Sequence, residues 1–110
     1  MNRALTRKRF KKEVVESSGL VVVQFKTDWN GACQIITPVY EELAISYKSN
    51  VNFFTIDIDK EKAIAKEYGI MELPAMLFFK NGQVIDHVIG LVPKDVLITK
   101  LENAINQNIN

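Results

Sequence analysis

Leu20-Val21-Val22-Val23-Gln24-Phe25 is a short, almost wholly apolar run rich in β-branched residues. Such a run suits a strand covered on both faces. Before it, Phe10 and Val14 lie one helical turn apart, with Thr6 placed to cap and Gly19 placed to stop. A first helix is therefore expected from Thr6 to about Ser17. After it, Ile36, Tyr40, Leu43 and Tyr47 fall at i, i+4, i+7 and i+11, one stripe on a helix running from about Asn30 to Lys48. Pro38 lies inside that run and should kink the helix by removing one backbone bond.

Further on, Phe54, Ile56 and Ile58 alternate with Thr55 and Asp57, the period of a strand over Val51 to Ile58. Asp59 is placed to cap a short helix that runs through Tyr68 and stops at Gly69. Ala75 to Lys80 and Gln83 to Ile89 flank Asn81-Gly82, a dipeptide whose readiness for positive φ favours a tight hairpin. Pro93, Leu97, Leu101 and Ile105 make a closing amphipathic helix. The predicted order is α-β-α-β-α-β-β-α, with Arg3 to Leu5 left open as an edge strand. This is an α/β fold: a mixed central sheet with helices on both faces.

Composition adds bounds. The 110 residues fit a single domain, 1–110, and 47% apolar with 25% charged residues is enough for a real core. The net charge of +1 is unevenly spread. Arg3, Arg7, Lys8, Arg9, Lys11 and Lys12 stand without an acid in the first 12 residues, and the remainder holds eight basic against 13 acidic residues, a formal −5. A solvated helix face accounts for the basic stretch. Nucleic acid is not expected as a partner, because Phe10 alone interleaves with the charges and base binding wants several stacking rings. No run resembles a secretory signal or a membrane span, so the cytoplasm is the expected location and no membrane partner is expected. One cysteine excludes an internal disulfide.

The informative stretch is Trp29-Asn30-Gly31-Ala32-Cys33, where a strand ends, a tight turn follows and a helix begins, with Pro38 five residues beyond the cysteine. Here the chain resembles the thioredoxin family over nearly its whole length. Trp29-x-Gly31-x-Cys33 with Pro38 is similar to the family's Trp-Cys-Gly-Pro-Cys motif and its helix proline. Leu73-Pro74 resembles the family's cis-proline loop, Lys80-Asn81-Gly82 its hairpin, and Gly90 its late groove glycine. The resemblance implies a thioredoxin fold and an apolar groove for an extended peptide or protein segment, formed by Trp29, Gly31, Ala32, Leu73, Pro74, Ile89 and Gly90.

The departures bear on chemistry. Asn30 stands where the family's attacking cysteine would be, and Gln24 where many members carry a buried, proton-moving aspartate. Ala32 replaces the usual proline, and Lys26 a common aromatic. Disulfide reduction needs one thiolate to attack and a second thiol to resolve the mixed disulfide, so dithiol turnover is not expected. A helix N-terminus favours a thiolate by about 0.3–1 kcal/mol. Burial at the family's inner position opposes ionisation more strongly, and a buried, inert Cys33 is the favoured reading. Asn30 reads as a helix cap and Gln24 as a buried amide in need of hydrogen-bond partners.

Two functions compete: a peptide-binding module, and a monothiol thiol–disulfide exchange protein in which glutathione or another thiol resolves a mixed disulfide on Cys33. His87, the single histidine, has no ligand-type neighbours in sequence, so no metal is expected, and no cofactor motif is present.

Overall fold

The computed structural model describes residues 2–109. Its elements are β1 (Asn2–Ala4), α1 (Arg7–Phe10) leading into a π-helical turn (Lys11–Val15), β2 (Leu20–Lys26), α2 (Gly31–Ser46), β3 (Val51–Asp57), α3 (Lys62–Glu67), β4 (Ala75–Lys80), β5 (Gln83–Ile89) and α4 (Lys94–Ile109). The strands form one five-stranded sheet in the order β1-β3-β2-β4-β5. β1 and β2 pair parallel to β3, while β4 is antiparallel to both β2 and β5. The open question at the N-terminus is resolved: an edge strand forms there, over Asn2–Ala4 rather than Arg3 to Leu5, with β5 at the opposite edge.

Helices cover both faces. On one, Ile36, Tyr40 and Leu43 of α2 and Leu97 and Leu101 of α4 pack on Val22, Phe53 and Phe78. On the other, Phe10, Val14 and Ile64 pack on Val21, Val23, Phe25, Phe54 and Phe79. β2 is buried from Leu20 to Phe25, as an apolar central strand requires.

Three local expectations change. The first helix is not α throughout: Glu16 N–H bonds to the Lys11 carbonyl at 2.8 Å, five residues back, and the widened turn holds both Phe10 and Val14 in the core. β3 does not alternate, because Phe53, Phe54, Thr55 and Ile56 are all buried between the two helical layers. A strand covered on both faces loses the period that a half-exposed one would show. Asp59 does not cap α3: Glu61 occupies that position without a side-chain cap bond, and the Asp59 carboxylate is engaged elsewhere.

The hairpin follows its dipeptide. Asn81 and Gly82 both have positive φ, 54° and 75°, as a two-residue turn matched to the strand twist demands. Gly82 also meets the end of the first helical segment, and a Cβ there would lie 2.2 Å from the Val15 carbonyl oxygen.

Candidate functional site

Register gathers the site. Phe25 on β2 pairs with Ala75 on β4, which pairs with Ile89 on β5. β2 and β5 therefore end, and β4 begins, at one end of the sheet. The segments just beyond those three residues carry Trp29 and Asn30, Leu73–Pro74, and Gly90. The Leu73–Pro74 peptide bond is cis, and the Gly90 N–H bonds to the Pro74 carbonyl at 2.7 Å, tying two of the three segments together. Gly90 has φ 84°, and a Cβ on it would come within 2.9 Å of a Glu72 carboxylate oxygen.

The loop before α2 is fixed by polar contacts. The Gln34 amide donates to the Asp28 carbonyl at 2.8 Å, and Lys26 pairs with the Asp28 carboxylate. That hydrogen bond from Lys26 holds the Asp28 carboxyl below its usual range. The Trp29 indole N–H donates to Asp59 Oδ2 at 2.9 Å, while Asp59's own backbone N–H is held by Asp57 Oδ1 at 2.9 Å. The indole nonetheless remains 71% exposed.

Asn30 is the residue before the helix, extended at φ −82° and ψ 124°, and its Oδ1 accepts the Cys33 backbone N–H at 2.9 Å. It thus satisfies one of the orphan donors that open a helix. Gly31 is exposed and Ala32 partly so. Cys33 is 1% exposed, and its carbonyl accepts the Thr37 hydroxyl at 2.6 Å. With an amide at position 30 and a sequestered thiol at 33, the arrangement offers no exposed nucleophile here.

Gln24 lies apart from these segments. It lies inside β2 between Thr55 and Met76, is 1% exposed, and its Nε2 has no hydrogen-bond partner among the described residues. Thr27 Oγ1 is likewise buried and unpartnered. His87 is exposed on β5, and no cluster of three metal-ligating side chains exists among the described residues. The grip of Asp59 on Trp29 escapes sequence reasoning, because nothing in the intervening residues signals the contact.

Comparison with known proteins gives a consistent result. Residues 2–103 match the family model described as Thioredoxin. The chain is 39% identical over 99 residues to thioredoxin 1 of Synechococcus elongatus, covering 90% of this chain and 92% of that one. It is 37% identical over 105 residues to thioredoxin of Rickettsia felis, covering 96% of this chain and all of its relative. Among solved structures, the thioredoxin of Malassezia sympodialis (Mala s 13) superposes with a TM-score of 0.82 at 35% identity, covering 98% of this chain and 90% of that one. Sheet order, helix placement and these likenesses agree: this chain, with a single cysteine, belongs to the thioredoxin family.

Proposed function

We propose that the chain is a peptide-binding member of its family that has given up dithiol turnover. The observation that carries this reading is the pair Asn30 and Cys33: the first spends its side chain on a helix cap, and the second is buried. The residues that the family resemblance assigns to a groove remain in the sequence. Trp29 and Ile89 are exposed apolar surfaces beside Gly31, Ala32, Leu73–Pro74 and Gly90, and an extended partner segment would add backbone hydrogen bonds in the manner of an added strand. No helix among the described residues is long and apolar enough to cross a membrane. A reducing compartment, the cytoplasm, is the setting this reading takes.

The test combines activity and capture. In a dithiothreitol-driven disulfide reduction assay the wild type should stay near background. A pull-down with wild type and Cys33→Ser should recover the same protein partners with or without reductant, and Trp29→Ala should lose them. Appreciable turnover by the wild type that vanishes in Cys33→Ser would overturn the binding reading.

A second reading rests on the place of Cys33 in the first turn of α2. A Cys33 thiolate would attack a substrate disulfide, releasing one substrate thiolate and leaving a mixed disulfide. A first glutathione would displace the remaining substrate as its thiol and stay on Cys33 as a new mixed disulfide, and a second would free Cys33 and leave as glutathione disulfide. Alkylation of Cys33 followed against pH discriminates: fast reaction near neutral pH favours exchange, and slow or absent reaction favours binding.

A further inference from the structure

Behind the site lies a cavity of about 440 Å³, between α2 and the carboxyl ends of β1, β3 and β2. That volume falls within the roughly 300–1,000 Å³ of small-molecule sites. Gln24 lines it, 1% exposed, with the Nε2 donor unpartnered among the described residues. A buried N–H in that position demands an acceptor, and none of the described residues supplies one. The charged lining is four carboxylates, Asp28, Glu41, Asp57 and Glu61, against two ammoniums, Lys26 and Lys60, a net −2. Lys26 pairs with Asp28, and Glu61 accepts the Arg7 backbone N–H at 2.6 Å. Glu41 forms no ion pair among the described residues. Ala4 and Leu5 add a short apolar wall.

We propose that this cavity binds a small aliphatic ammonium compound that carries a carbonyl or hydroxyl oxygen. The oxygen accepts from Gln24 Nε2, and the ammonium meets the acidic lining at Glu41 and Asp57. The negative balance disfavours anions, which separates this site from any thiol peptide that would approach Cys33. The groove in front and the cavity behind are separate surfaces, and neither needs the other to be occupied.

The probe is β-alaninamide, titrated into ¹⁵N-labelled wild-type protein. Controls are propylamine, which lacks the oxygen, propanamide, which lacks the charge, and succinamate, which reverses it. The Gln24 side-chain amide signals, assigned by their absence in Gln24→Leu, should shift saturably with β-alaninamide. A probe of about six non-hydrogen atoms should bind with a Kd of roughly 1–10 mM, and each control at least about fivefold more weakly. Glu41→Gln should weaken β-alaninamide about threefold or more without changing the thermal midpoint. Glu41 is exposed on α2, so this variant carries the test even if Gln24→Leu does not fold. Non-saturating shifts, equal responses to all four probes, or a response indifferent to Glu41→Gln would mean a cavity holding water only, and would overturn the proposal.

Discussion

Asn30 and Tyr40 show what single side chains contribute. Asn30→Cys removes a cap bond worth about 1 kcal/mol and sets a thiol one helical turn from Cys33. Under oxidising conditions the variant should form a reducible 30–33 disulfide, seen as protection of both thiols from alkylation, and disulfide reductase activity should rise above the wild-type background. Tyr40 is fully buried, with its hydroxyl donating to the Val22 and Phe54 carbonyls at 3.0 and 2.7 Å. Burial raises its ionisation well above the ordinary 10.0. Below pH 10 both folded and unfolded chains hold the proton, and the contribution is fully present. Above pH 10 only the unfolded chain loses it, so stability falls by up to about 1.4 kcal/mol per pH unit. Tyr40→Phe should cost about 1 kcal/mol near neutral pH and make that alkaline decline shallower, measurable by urea unfolding across pH 8 to 11. The cap at Asn30 was legible because cap chemistry is local. The contacts of Trp29 with Asp59 and of Tyr40 with two strand carbonyls were not, since each joins segments that only the assembled sheet brings together.

Among the elements, the β4–β5 hairpin was the most legible, since Asn81-Gly82 carries the turn's backbone demand within itself. Gly82→Ala should destabilise by upwards of about 1 kcal/mol, because the positive φ strains a Cβ that also meets the Val15 carbonyl. A thermal melt checks it, and Asn81→Gly, which keeps positive φ available and adds no Cβ, should cost far less. The π-helical turn and the uncapped α3 were not legible. Apolar spacing of four residues is shared by an α-helix and a widened turn, and Asp59 has the residue type of a cap while its carboxylate holds an indole instead. β1 stayed open in the sequence because three residues are too few to display a period.

For the whole molecule, the two helical layers pack on opposite faces of one shared sheet. Phe79 is fully buried and edge-stacked on Phe10 and Tyr68, with ring centroids 6.0 and 5.5 Å away, so it joins β4 to the first and third helical segments. Phe79→Ala should cost about 3–5 kcal/mol in denaturant-measured stability. If the sheet transmits that loss, far-UV and near-UV signals should still unfold together; separate transitions would show that the two faces melt independently. The α/β order and the two-faced sheet were legible from the alternation of element types. The cavity was not: it exists only because α2 closes over the carboxyl ends of strands distant in sequence, and the sequence indicated no more than that Gln24 would need a partner.

Trp29 is the chain's single tryptophan, and it stands exposed beside the helix cap and the cis-proline loop. The protein's intrinsic fluorescence therefore reports this one neighbourhood, free of signal from any other indole. A peptide settling on the groove should exclude water from the ring and move its emission to shorter wavelength, whereas β-alaninamide in the rear cavity, which does not cover the ring, should not produce that shift. The molecule thus carries its own optical readout for occupancy of its front face, requiring no attached dye.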